Sequence, residues 1–400
     1  MELLSPMSRL SVNPTIVLSP LTEGYIAYDT ASNRLHELNP TAALLVELCN
    51  GSRTREEVAT LAVPLLPPDS KTFIFDWLTQ AIEQNVLVES SANTQQSKVR
   101  ELSATELADF AIRLRDEGKV QAAYLCQQRA SELQPADAIL LRDLGELAHI
   151  VGKRTEARQT YEDYLLHVPD DAEIQHLLTS LRGDTAPTRV PNKCIHQLYQ
   201  RFSVFYESNM CDELGYEGPL HLRSAIEQTL GGRSGLSVLD LGCGTGLAGL
   251  EVVDRASRLV GIDLSPDMIE QARRQDIYDE LHVAEVTTWL DHSQEQFDLI
   301  IACDTLIYFG DLRQVISLAN KRLAPNGVIA FSVERADSGT FRLTDNGRYV
   351  HHPDHILDSA CESNMTVVRQ SEAFLRMEYG QEVTGLFVTL RPSLPAASSA

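Results

Sequence analysis

The 400-residue chain contains no run of about 18 apolar residues, which excludes an ordinary membrane-spanning helix. Its opening residues, Met1-Glu-Leu-Leu-Ser-Pro, lack the basic region followed by an apolar one that marks a secretory signal. Basic residues are scarce. Lys and Arg number 34 against 56 Asp and Glu, a formal net charge of −22, so a phosphate backbone would be repelled, and no local basic patch offsets this. Cysteines at 49, 126, 194, 211, 243, 303 and 361 are odd in number, scattered and never spaced Cys-x-x-Cys. That pattern argues against a zinc site and predicts reduced thiols in a cytoplasm. Nucleic acid, membrane and metal are thus not expected partners, whereas a basic or neutral peptide remains compatible. The length predicts two or three domains, and 43% apolar residues allow packed cores.

Short alternating or β-branched runs at 15–18, 24–29 and 34–38 predict three strands separated by turns. Asn39 can cap a helix with Pro40 at its first position, running to Cys49 and ended by Asn50 and Gly51. Thr54 and Glu57 form a capping-box pair for a second helix. Asp69 or Ser70 can cap a third that reaches Gln84, and 85–89 can return as a strand. This opening, with LNPTAALLVELCNG at 38–51 and IEQNVLVE at 82–89, resembles the PqqD-like family of peptide-recognition domains over residues 1–92. The resemblance implies a winged-helix-like α+β fold that captures the leader of a ribosomally made precursor peptide as an added strand. The leader would lie along Arg34, Leu35, His36, Glu37 and Leu38, faced by Phe75, Leu78 and Ile82. An accessory domain whose apolar residues are simply core is the alternative.

Residues 103–182 repeat with a period of 34, which relates Gly118 to Gly152, Ala123 to Ala157, Pro135 to Pro169 and Asp137 to Asp171. That period belongs to tetratricopeptide repeats and predicts α-helical pairs at 104–131 and 138–165, closed by a helix at 172–181. Two repeats are few, so they should lean on a neighbouring domain and serve either as a partner-binding surface or as a spacer. The Ser-, Gln- and Asn-rich stretch 90–98 and the helix-hostile stretch 183–191 predict mobile hinges, and the last residues a frayed tail.

From 193 to 392 strands and helices alternate as in a doubly wound sheet. VLDLGCGTG at 238–246 reads as a buried strand turning tightly into a helix, with backbone exposed where a ligand comes close. LVGID at 259–263 ends the next strand in Asp263, placed to accept from both hydroxyls of a ribose. GTGLAG at 244–249 also satisfies the dinucleotide pattern, but Asp240 suits an ammonium better than a pyrophosphate. The segment resembles motif I and the acidic motif of class I S-adenosylmethionine-dependent methyltransferases, which implies an α/β Rossmann-like seven-stranded domain. By that resemblance S-adenosyl-L-methionine is held by Asp240, Gly242, Cys243, Gly244, Gly246 and Asp263, with Cys243 a small packing residue of the loop. Leu264 and Met268 would flank the adenine, Glu285 or the Val286 backbone would meet its amino group, and Cys303 would end the fourth strand. The helix LYQRFSVFY at 198–206, with LGY at 214–216, resembles the entry segment of methyltransferases that follow tetratricopeptide repeats, which implies that Tyr199 and Phe205 help close the pocket; an amphipathic helix packing on the sheet is the alternative.

Methyl transfer needs no covalent nucleophile, although a base helps when the acceptor is a hydroxyl. Asp304, Tyr308, Glu334, Tyr349, His351 and His352 are candidates that the sequence does not rank. Adjacent histidines do not face one site, so His351 and His352 are not read as metal ligands. Ala302-Cys-Asp-Thr stands where amide and nucleobase methylases carry Asn-Pro-Pro-Tyr, which speaks against their amino-group chemistry. The chain thus reads as a multidomain methyltransferase of a precursor peptide. A small-molecule methyltransferase with assembly-type N-terminal domains and a non-catalytic peptide chaperone are the alternatives.

Overall fold

The structure, a computed structural model, describes residues 8–21, 24–29, 31–32, 34–67, 70–91, 103–116, 120–202, 210, 214–378 and 381–393. Asp69, Gly118, Phe205, the side chain of Leu35, the hinge at 92–98 and the tail beyond 393 lie outside the described residues. The chain divides into two compact units, 1–169 and 170–400.

The first unit begins with β1 (Ser8–Val12), β2 (Ile16–Leu21), β3 (Gly24–Asp29), β4 (Arg34–Leu38), α1 (Pro40–Leu48), β5 (Asn50–Thr54), α2 (Arg55–Ala62), α3 (Ser70–Glu83) and β6 (Leu87–Ser91). β2, β3 and β4 form an antiparallel meander, and β1 lies between β5 and β6 in a second sheet. The local signals act as their chemistry requires. Asn39 accepts the Ala42 N–H at 2.9 Å, and Thr54 and Glu57 exchange both capping-box bonds. β1 and β5 carry no strand signal, because SRLSV and NGSRT are too polar to stand out and become strands by pairing, β1 with both β5 and β6. Leu38 and Leu78 are buried in the core, which corrects their assignment to a peptide groove; Arg34, His36, Glu37, Phe75 and Ile82 keep exposed surface.

α4 (Ala104–Asp116), α5 (Val120–Leu133), α6 (Ala138–Ile150) and α7 (Arg154–His167) complete this unit as two consecutive helix pairs. Ala123 and Ala157, one repeat apart, are fully buried. Leu65 packs against the cluster of Ala104, Leu107, Ala108, Ala130 and Leu140, and the Arg53 guanidinium lies 6.0 Å from the Phe110 ring centre. The helices therefore share a core with the strand-rich part, as so short an array requires. Gly145 is the tight point, since an added Cβ would come 2.4 Å from the buried Tyr161 ring. Gly145→Ala is expected to destabilise this unit by about 1–3 kcal/mol, seen as a lower urea midpoint by circular dichroism. An unchanged midpoint would mean that the ring can move aside.

The second unit comprises α8 (Ala172–Arg182), α9 (Asn192–Phe202), α10 (Gly218–Leu230), β7 (Leu236–Leu241), α11 (Leu247–Leu250), β8 (Ala256–Asp263), α12 (Pro266–Arg274), β9 (Glu280–Val283), α13 (Val286–His292), β10 (Phe297–Ala302), α14 (Arg313–Lys321), β11 (Leu323–Arg335), β12 (Phe341–Leu343), β13 (Tyr349–His351), α15 (Pro353–Glu362), β14 (Met365–Glu378) and β15 (Gln381–Pro392). The seven predicted strands run in the order β9-β8-β7-β10-β11-β15-β14, with β15 antiparallel to both its neighbours. β12 and β13, three residues each and invisible to periodicity, extend the sheet to nine strands.

Two expectations are corrected here. The predicted closing helix of the repeats, α8, belongs to the second unit: it packs on α9, and its His176 and Ser180 bond the Gly347 and Thr344 carbonyls at 2.9 and 2.7 Å. Residues 183–191 are no mobile hinge but a strap held along its length. The Val190 N–H donates to the Tyr308 carbonyl and the Gly310 N–H to the Thr188 carbonyl, both at 2.8 Å, and the Tyr349 hydroxyl donates to the Pro187 carbonyl. Ala186 and Val190 join a small core with Ala172, Cys194 and Tyr349. Proline and glycine forbade a helix there, and tertiary bonds took its place.

Candidate active site

The site lies at the carboxyl ends of β7, β8 and β10, where open α/β sheets receive their ligands. After β7 the chain turns through Gly242, Gly244 and Gly246, all at positive φ. A side chain at Gly242 would sit 2.4 Å from Thr305, whose hydroxyl donates to both the Gly242 and Cys303 carbonyls at 3.2 Å. That hydroxyl ties the ends of β7 and β10 together. Gly244 faces open space, so a ligand can come against its backbone.

Asp263 ends β8 with each carboxylate oxygen accepting one backbone N–H, from Ser265 at 2.8 Å and Gly244 at 2.9 Å. Lone pairs on both oxygens remain for a pair of hydroxyls. Burial pushes its carboxyl up against the pull of those two N–H groups.

Asp240 is fully buried and does not line the cavity, which corrects the expectation that it faces the ligand. The Tyr278 hydroxyl donates to its Oδ2 at 2.7 Å, while Oδ1 has no partner. The Tyr278 ring fills the volume that side chains at Gly246, Gly249 and Gly261 would claim, at 3.2, 2.7 and 2.9 Å from their added Cβ atoms. Part of the glycine pattern thus makes room for a protein ring. Cys243 is buried against Ile269, Ala272 and Tyr278, and Gly246 opens α11 beside Tyr278; neither lines the cavity.

A cavity of about 640 Å³ opens over these strand ends. Tyr199, Gly242, Gly244, Asp263, Leu264, Met268, Glu285, Val286 and Cys303 line it among the predicted cofactor residues, together with the base candidates Asp304 and Tyr308. Val190, Ile195 and Phe309 add apolar wall to Leu264, Met268 and Val286, and Thr305 adds a polar group beside Asp304 and Tyr308. The Tyr199 and Tyr308 hydroxyls meet at 2.5 Å with their rings edge to face. Burial pushes the Tyr308 phenol up to about 12, so it stays neutral.

Arg189, which also lines the cavity, went unpredicted because it sits in the strap read as a linker. Its guanidinium lies 5.5 Å from the Phe309 ring centre and bonds Glu285 at 2.5 Å. Glu285 also caps α13, accepting from the N–H and hydroxyl groups of Thr287 and Thr288. Burial would raise its carboxyl, but those hydrogen bonds hold it at about 2. With both oxygens taken, its carboxylate is not free to receive an adenine amino group, which leaves that expectation to the Val286 backbone.

The other base candidates are spent on structure. His351 is fully buried, bonded through Nε2 to the Phe309 carbonyl at 2.8 Å and pushed down to about 4 by burial. His352 caps α15, Tyr349 is tied to Pro187, and Glu334 accepts from Arg348 and Arg376. Among the described residues no cluster of His, Cys, Asp and Glu could hold a metal ion, and no helix is long and apolar enough to cross a membrane.

Comparison with known proteins decides between the ligands of glycine-rich folds. Residues 239–329 match the family described as a methyltransferase domain. This part of the chain is a methyltransferase domain. Its methyl donor is S-adenosyl-L-methionine. The domain is 34% identical over 112 residues to the malonyl-[acyl-carrier protein] O-methyltransferase of Salmonella typhimurium, covering 28% of this chain and 44% of that one. It is 31% identical over 127 residues to the ubiquinone biosynthesis O-methyltransferase of Pasteurella multocida, covering 28% and 52%. The chain thus spans about half or less of the length of these curated relatives. Among solved structures, a DhpI–SAH complex is similar with a TM-score of 0.38 and 19% identity, covering 49% of this chain and 94% of that one.

The lining of the methyltransferase domain suits the donor. An apolar wall at Leu264, Met268 and Val286 can take a purine, and Asp263 has lone pairs for ribose hydroxyls.

Asp240 generates a prediction. Burial holds its carboxyl at about 7 despite the Tyr278 hydrogen bond. An unfolded aspartate titrates near ~3.9, so between those values the folded state binds more protons and stability falls as pH rises, by at most about 1.4 kcal/mol per pH unit. Asp240→Asn keeps an acceptor for Tyr278 and removes the charge. The melting temperature of Asp240→Asn relative to wild type is therefore expected to climb between pH 5 and pH 8 in donor-free protein. A constant difference would contradict the assignment.

Proposed function

We propose that the protein transfers the methyl group of S-adenosylmethionine to a ribosomally synthesised precursor peptide recruited through its leader by the first unit. The observation that carries the recruitment is the edge of the meander: β4 pairs with β3 alone among the described strands, so its other side can accept an added strand. Arg34, His36 and Glu37 keep exposed surface on β4 for such a segment, and Phe75 and Ile82 keep some on α3. Covalent linkage of a leader-binding unit to a methyltransferase domain raises the effective concentration of the attached core peptide.

Bound S-adenosylmethionine supplies an electrophilic methyl group on a sulfonium. The chain's own part is to orient the acceptor and to exclude water, since the displacement is in-line and needs no covalent nucleophile. Val190, Ile195 and Phe309 supply the apolar wall that excludes water, and the Tyr199–Tyr308 pair offers hydroxyls at the polar end.

A second reading, methylation of a small molecule, is favoured by the name of one relative, an O-methyltransferase of ubiquinone biosynthesis. Labelled donor separates the two. Precursor peptides encoded beside this gene should be labelled at least about tenfold faster with their leaders than without, and free leader peptide should compete. Equal labelling of leaderless peptide would sink the recruitment.

A further inference from the structure

Asp304, two residues past the end of β10, lines the cavity with both its backbone and its side chain held against their local preference. Its φ is +55°, a left-handed conformation that non-glycine residues adopt rarely and that Asp tolerates better than most. Its N–H is taken by the Ser332 hydroxyl at 2.8 Å, and its Oδ2 by the Arg376 guanidinium at 2.9 Å. Its Oδ1 is buried without a hydrogen-bond partner, on a side chain only 9% exposed. Arg376 itself is 3% exposed and also bonds Glu334 and Glu378, which Arg348 bonds in turn. Three carboxylates therefore share two guanidiniums, and one negative charge is left over beside the cavity.

A buried carboxylate with an open oxygen takes up a proton or a cation, because an unpaired charge in a low-dielectric interior is costly. The donor carries two cations, an α-ammonium and a sulfonium. We propose that the Asp304 carboxylate is the anionic anchor for a cationic group of S-adenosylmethionine, the role that Asp240 loses by turning onto Tyr278. Arg376 and Ser332 are its positioning residues. They fix the carboxylate so that one oxygen stays open.

The inference rests on the methyltransferase reading, and isothermal calorimetry on the full chain separates the two. Three probes are used: S-adenosylmethionine with both cations, S-adenosylhomocysteine with the ammonium alone, and neutral 5′-methylthioadenosine. Asp304→Asn should weaken S-adenosylmethionine by about tenfold or more, the worth of a charge-assisted hydrogen bond, and leave 5′-methylthioadenosine unchanged. Equal weakening of S-adenosylhomocysteine assigns the ammonium, whereas weakening of S-adenosylmethionine alone assigns the sulfonium. Unchanged affinity for both, or equal loss for all three probes, overturns the anchor. Failure of the wild type to bind any probe overturns the methyltransferase reading beneath it. Should Asp304→Asn not fold, Ser332→Ala keeps every ion pair and releases the Asp304 N–H together with a long 3.9 Å contact from the Ser332 hydroxyl to the Cys303 sulfur. It should weaken S-adenosylmethionine several-fold relative to 5′-methylthioadenosine, and an unchanged ratio counts against the anchor.

Discussion

The constraint on which the second unit depends is the burial of negative charge at the carboxyl ends of its central strands. Asp240 on β7, Asp263 on β8 and Asp304 after β10 are all withdrawn from water, and each must find compensation. The three solutions differ, and each fixes a different segment. Tyr278 is drawn in from the loop before β9 to reach Asp240. The glycine loop is pinned by the Gly244 N–H on Asp263. β14 is pulled towards Asp304 through Arg376, at a point where its pairing with β15 slips between Phe374 and Arg376. A ligand-ready floor is thus made by the same bonds that make buried carboxylates tolerable.

That account changes the meaning of the glycine run. Gly242 is needed for the close approach of Thr305, and Gly244 leaves backbone open to a ligand. Gly249 and Gly261 serve the Tyr278 ring, which has to pass between them to satisfy Asp240. A motif read as a ligand signature is therefore partly a packing signature for an internal hydrogen bond. The matched methyltransferase domain includes both parts, since residues 239–329 span the loop, Tyr278 and Asp304.

How legible these features were in the sequence follows from the range of the interactions behind them. Asn39, the Thr54 and Glu57 pair and Ser265 cap helices three residues away, and each could be read from spacing. The seven long strands were visible because burial imposes apolar runs. The strap at 183–191 was misread since its bonds go to Tyr308, Gly310 and Tyr349 and to Glu285, the last 96 residues off. Arg376 was missed for the same reason: it meets Asp304 across 72 residues, and one arginine in a strand carries no pattern. Asp240 failed in the opposite way. Its position in the motif was right, but the competing donor, Tyr278, lay 38 residues downstream.

The strap and the carboxylates together explain why the cavity has two characters. On one side Arg189 draws Glu285 and Phe309 together, and Val190 and Ile195 carry apolar surface into the lining. Those groups are satisfied within the protein and offer a ligand shape. On the other side Thr305, Tyr308 and Asp304 present polar atoms, and the Asp304 Oδ1 alone among these is buried without a partner. A donor with an uncharged purine at one end and charged groups at the other matches that division. With Asp304 as the proposed anchor only one sense of binding is compensated, because a reversed donor would bury its cations against Leu264, Met268 and Val286 and leave the Asp304 oxygen uncompensated.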